Sequence, residues 1–194
     1  MRKVVLFTMI FAVFSFTTTK MFNISKTIYV SSESKLYIKG TSNVNKFECH
    51  YDITNLNNPV PVKLTQNGQT LYFKNTKLIL DSGCFDCGGK AINKDFKSIL
   101  KANEYPNIVL NVIELNPVEN DISKVEVMLN IEIAGIKKPY KMIANLSSHN
   151  KYQISGKLKL NINDFNLESP KKMFGLIVVS EIIEINFEMK LQEK

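Results

Sequence analysis

The stretch that most constrains this chain is residues 122–142, ISKVEVMLNIEIAGIKKPYKM. Val125, Val127, Leu129, Ile131 and Ile133 alternate with Glu126, Met128, Asn130, Glu132 and Ala134. Successive side chains of a strand point to opposite faces, so this period of two makes one apolar face and one mostly wet face. Gly135 ends the run. Tyr140, Met142, Ala144 and Leu146 then resume the alternation. Two such runs joined by a short connection read as an antiparallel hairpin.

The rest of the chain repeats this plan. Residues 28–30 read as a lead-in strand, and residues 34–41 (SKLYIKGT) alternate up to Gly40, which marks a bulge or a close approach of another segment. Residues 46–53 place Phe47, Cys49 and Tyr51 on one face. Short strands at 62–65 and 71–73 flank Asn67-Gly68, a pair suited to a tight hairpin turn, and 76–80 reads as a further short strand. Residues 82–89 (SGCFDCGG) read as a loop. Helical spacing occurs at 91–102, where Ile92, Phe96, Ile99 and Leu100 fall on one side and Lys94, Asp95, Lys97 and Lys101 on the other. Pro106 prevents continuation. Strands resume at 107–115, 152–162 and 177–191, with a long loop at 163–175. About eight strands and one short helix predict an all-β fold closed into an up-and-down barrel, which removes exposed edges.

The first 20 residues have a different character. Arg2 and Lys3 precede an apolar run broken only by Thr8 and Ser15, the form of a secretory signal peptide. The run is too short for a membrane span, which needs about 20 apolar residues. The expected organisation is therefore a signal peptide at 1–20 and a barrel domain at 21–194, in the periplasm or secreted; the alternative is an uncleaved N-terminal anchor. The formal charge is +7, but Arg2, Lys3 and Lys20 belong to the leader and the other lysines are spread along solvent-facing strand positions. No clustered basic surface with stacking aromatics points to nucleic acid.

In this order along the chain, GTSNVNKFEC (40–49), INKDFKSILKANEYPNI (92–108), VMLNIEIAGIKKPY (127–140) and GKLKLNINDFNLESPKKMFGLIVVSEIIEINFEM (156–189) resemble the YceI-like proteins, secreted bacterial lipocalin-like barrels. The resemblance rests on the agreement of four segments in order and spans nearly all of the expected mature chain. It implies an extended antiparallel barrel around an apolar tunnel that binds a long lipid, typically a polyisoprenoid, with no established catalysis. The histidine common after the early G-S element is absent here, and the cysteines and closing loop look more like Bacteroidetes-type versions.

Other chemistry is thin. Three cysteines are present, and export favours a disulfide over a metal site. The preferred pair is Cys49 with Cys87, tying the third strand to the loop before the helix; the alternative is Cys84 with Cys87, which would also be the basis of a thiol-active enzyme. His50 and His149 are isolated, no G-x-S-x-G elbow occurs, and no cofactor or metal is expected. Phe47, Phe73, Phe96, Phe165, Met173, Phe174 and Phe187 are the expected tunnel-lining residues; a packed core is the alternative use of the same side chains. Lys171 and Lys172 beside Met173 and Phe174 read first as a solvated loop; the alternative is contact with an anionic head group or membrane surface at the barrel mouth. A homodimer is expected by analogy with similar barrels. The sequence thus predicts a non-enzymatic carrier that sequesters a long apolar molecule, such as a polyisoprenoid. The competing prediction is a structural or stress-related barrel filled by its own side chains.

Overall fold

The computed structural model describes residues 22–193 except 57, 150 and 173–175. The expected leader, Met173 and Phe174 lie outside the described residues. The chain opens with β1 (Phe22–Val30), β2 (Lys35–Thr41) and β3 (Lys46–Tyr51). Then come β4 (Val60–Asn67), β5 (Thr70–Asp81) and the short β6 (Phe85–Asp86). Helix α1 (Lys90–Ile99) separates these from β7 (Asn107–Val118), β8 (Asp121–Ile133), β9 (Ile136–His149) and β10 (Lys151–Asn161). A two-strand hairpin, β11 (Lys171–Lys172) and β12 (Ile177–Val178), precedes the closing β13 (Ile182–Glu193).

The ring runs β1-β4-β5-β7-β8-β9-β10-β13 and closes where β13 returns to β1 through Val30↔Leu191. All its pairings are antiparallel, so this is the expected eight-stranded all-β barrel with one short helix. The first half of β13 also pairs β2 through Phe187↔Leu36. In turn β2 pairs β3, and β3 pairs β6 through Tyr51↔Phe85. Thus β1 and β2 follow each other along one edge of β13, β3 and β4 form the next course, and β5 and β6 the one after. These three interrupted courses lengthen the barrel at the end that carries β2, β3 and β6, called the upper end below.

The alternation seen in the sequence is what fills the barrel. Val127, Leu129, Ile131 and Ile133 of β8 are buried, while Met128, Asn130 and Glu132 between them are only half-buried. The same parity buries Leu36 and Ile38 of β2 and Leu158 and Leu160 of β10. The β8–β9 turn brings Ile133 opposite Ile136, with Ala134 at φ 49° and Gly135 at φ 77°. Positive φ at both turn residues matches the twist of the flanking strands.

Several strand boundaries differ from the sequence reading, three of them with a clear cause in the pairing. Strand β1 begins at Phe22 rather than near 28, because β4 pairs with it from Phe22↔Gln66 onward. Residues 71–73 and 76–80 are one strand, β5, whose pattern slips at a bulge between Tyr72 and Thr76 where Asn75 takes φ 56°. The closing strand begins at Ile182, since Ile177 and Val178 turn away to pair β11 and Val179 bridges to Ser42.

Candidate ligand cavity

A cavity of about 550 Å³ occupies the upper part of the barrel. Its walls are inward residues of the strands, among them Ile38, Leu110, Ile131, Leu158, Ile183 and Ile185. Its roof is the inner face of α1, through Ile92, Phe96, Ile99 and Leu100, together with Leu167, Pro170, Ile177 and Val179. Polar groups line it only at the rim: Ser42, Asn45 and Lys46 in and beside the β2–β3 turn, Asp95 on α1, and Ser180 before β13.

The helix is amphipathic in the manner of a lid. None of the residues of α1 itself is fully buried, although Ile92, Phe96 and Ile99 face inward and are half-buried. Their remaining surface looks into the cavity rather than onto packed neighbours. Lys90, Lys94 and Lys97, with Lys101 just beyond, form an exposed stripe on the outer side. Gly89 caps the start of α1, and Asn93 serves the preceding loop instead. Its Oδ1 accepts from the Cys87 amide at 2.6 Å, and its Nδ2 donates to Asp86 at 2.9 Å.

The roof is anchored covalently. Cys49 of β3 and Cys87 form a disulfide, as preferred from the sequence, and both line the cavity. Behind it Phe85 packs edge-on against Tyr51 at 4.9 Å and tilts against Phe96 at 5.2 Å. Cys84 is the remaining free thiol, so the alternative Cys84–Cys87 pair is overturned. Burial, reinforced by the negative charge of Asp81, pushes the Cys84 thiol up, the reverse of what a reactive thiolate needs. Burial also pushes the neighbouring Tyr51 phenol up to about 12.

The rim has its own fastening. Ser42 Oγ accepts from the amides of Asn45 and Val44, which shapes the β2–β3 turn. The Asn43 side chain donates to the Leu176 carbonyl at 2.8 Å and accepts from the Val178 amide at 3.0 Å. It thereby joins two exposed apolar tips, Val44 on one side and Leu176 with Val178 on the other.

Of the expected lining residues, Phe47, Phe96 and Phe187 face the cavity. Glycines make room for two of these rings, Phe47 and Phe187. A Cβ on Gly40, opposite Phe47, would collide with that ring. A Cβ on Gly156, opposite Phe187, would lie 2.9 Å from that ring and 2.8 Å from Met142 Cε. Phe165 and Phe73 do not line the cavity, which corrects the expectation for both. Phe165 is fully buried beyond the end of β10 and stacks on Tyr140 at 6.1 Å, so it is core. Phe73 sits on β5 opposite Leu64, within the bulged segment and away from the upper end. Non-aromatic side chains beyond the expected set also line the cavity, above all Ile131, Ile183, Ile185 and Met142; their strand parity is the sequence signal that marks them. His50 is a surface residue, stacked on Tyr37 at 5.2 Å and paired with Glu48 at 3.2 Å. Among the described residues no group of three His, Cys, Asp or Glu side chains is placed to hold a metal ion.

No family model matches the sequence, and no curated protein matches it. The fold does match solved structures. BcnA of Burkholderia cenocepacia superposes with a TM-score of 0.62 at 15% identity, over 84% of this chain and 99% of that one. A polyisoprenoid binding domain from Saccharophagus degradans, implicated in plant cell wall breakdown, gives 0.59 at 10% identity, over 86% of this chain and 98% of that one. The YceI protein of Campylobacter jejuni gives 0.52 at 18% identity, over 63% and 73%. The fold is YceI-like. In this YceI-like barrel the helix, the disulfide and the β11–β12 hairpin all gather at the upper end, around the mouth of the cavity.

Proposed function

We propose that this protein is an exported carrier that sequesters a long-chain apolar molecule, such as a polyisoprenoid, inside its barrel. The observation that carries the reading is the hollow upper half: about 550 Å³ lined almost wholly by apolar side chains, with polar groups at the rim alone. A side-chain-filled barrel would bury Phe47, Phe96, Ile185 and Phe187 against one another, yet each keeps exposed surface facing the cavity. Each methylene moved from water into such a space gains about 0.8 kcal/mol, so a chain binds without specific polar contacts. The likeness to a polyisoprenoid binding domain supports the same ligand class.

Export is supported by the leader-like Arg2, Lys3 and apolar run, and by the Cys49–Cys87 disulfide, which belongs to an oxidising compartment. Contact with a membrane surface during loading is supported by Val44, Leu176 and Val178 exposed at the mouth and by the lysine stripe on α1. The test is native mass spectrometry of the protein from its own source, followed by organic extraction. A retained long-chain molecule released on denaturation, with the subunit count read from the same spectrum, is the expected result. A clean ligand-free mass with no uptake of added isoprenoid would overturn the carrier reading.

A further inference from the structure

The cavity stops partway down the barrel. Its lining takes Leu80 from β5, Ile108 and Leu110 from β7, Leu158 from β10 and Met142 from β9. Nothing lower on those strands contributes, and nothing from β1 or β4. Below this level the inward positions pack on each other: Ala144 is fully buried, Val127 is buried, and Val30, Leu115, Ile154 and Leu191 pack against the same core. The boundary is formed by Leu36, Met142 and Met189, the lowest lining residues on their strands, with Phe187 one inward position above Met189. The register explains why it lies there. Gly156 sits between Ala144 and Phe187, and the missing Cβ lets the Phe187 ring and Met142 Cε converge over it. One gap in the strand wall therefore lets two large side chains meet over it at this level.

We propose that the cavity is a blind half-barrel whose floor, set by Met142, Phe187 and Met189 at the level of Gly156, limits the length of the chain it accepts. The proposal rests on the carrier reading above and adds a measurable ceiling. A methylene takes about the space of a water molecule, about 30 Å³, so about 550 Å³ holds about 18 carbons, or three to four isoprene units. A longer chain leaves its excess at the mouth among Ser42, Asn45, Lys46 and Ser180, where it gains little further burial.

The test is a ladder of polyprenyl alcohols of two, three, four and eight isoprene units, supplied in mixed micelles. Occupancy is read by native mass spectrometry and competition against a fluorescent fatty probe. Affinity is expected to climb steeply to the four-unit alcohol and then to level off or fall at eight. Met142→Ala and Phe187→Ala remove about three and six heavy atoms from the floor, so each should move the plateau longer, by about one isoprene unit. Ile185→Trp, which fills the cavity from its wall rather than opening the floor, should shorten it, so the proposal does not depend on one variant folding. Affinity that keeps rising to eight units, unchanged by all three variants, would overturn the length limit and leave the carrier reading standing. Failure to bind any alcohol would overturn both.

Discussion

Removing the Cys49–Cys87 disulfide is the perturbation with the best-defined size. The two cysteines are 38 residues apart, and the bond ties β3 to the residue just before α1. Confining a 38-residue loop in the unfolded chain stabilises the folded state by about 4 kcal/mol on the chain-entropy account. At this chain length each kcal/mol moves the melting temperature by about 2–4 °C, so reduction should lower it by about 8–16 °C. Cys49 has no exposed surface, so the Cys49→Ala/Cys87→Ala variant also loses packing and should fall at the lower end of that melting range or below it. The assay is thermal unfolding by circular dichroism, with and without reductant, in a Cys84→Ala background that removes thiol exchange. Because both sulfurs line the roof of the cavity, loss of the bond should also speed release of bound chain. Melting of the double variant at the wild-type temperature, or reductant sensitivity that survives in it, would refute the reasoning.

Other outcomes follow from the geometry. Gly40→Val places a Cβ where the Phe47 ring now lies and should cost about 1–3 kcal/mol in urea unfolding; the cost should shrink when Phe47 is also made Ala, and equal costs in both backgrounds would remove the ring from the argument. Burial raises the phenols of Tyr51, to about 12, and of Tyr140, which also donates to Asp164 at 2.7 Å. A raised pKa means that the folded state holds its proton more tightly than the unfolded chain, whose tyrosines titrate at about 10, so this stability is complete below about pH 10 and is lost as pH climbs toward the folded values. Unfolding free energy should therefore drop between about pH 10 and 12, with a shallower slope for Tyr51→Phe; parallel slopes would be the contrary result. Cys84, half-buried with its pKa raised, should react with iodoacetamide at neutral pH more slowly than a free cysteine, and faster labelling would revive a thiol-based activity.

Much of this was legible in the sequence for a local reason. The period of two in residues 125–133 needs only the backbone of one strand, so it fixed which residues of β8 face inward. The helical spacing of Ile92, Phe96 and Ile99 did the same for the inner face of α1. Gly40 and Gly135 were legible as punctuation, and the structure supplies the rings, Phe47 and Tyr105, that sit where their side chains would be. The bulge at Asn75 was not, because it breaks the alternation only over a few residues and looks like two short strands.

What only the tertiary structure decided is where the inward faces meet one another and where they meet empty space. Ile131 and Val127 lie on the same face of the same strand, yet one lines the cavity and the other packs the floor beneath it. Their difference is set by what stands across the barrel: α1 and the extended β2–β3–β6 edge above, Phe187 and Met142 folded over Gly156 below. Barrel radius and stagger arise from eight courses closing together, and no single segment carries them. The sequence alone determined that this chain builds an apolar interior; the closed register of its strands determined that half of that interior is left hollow.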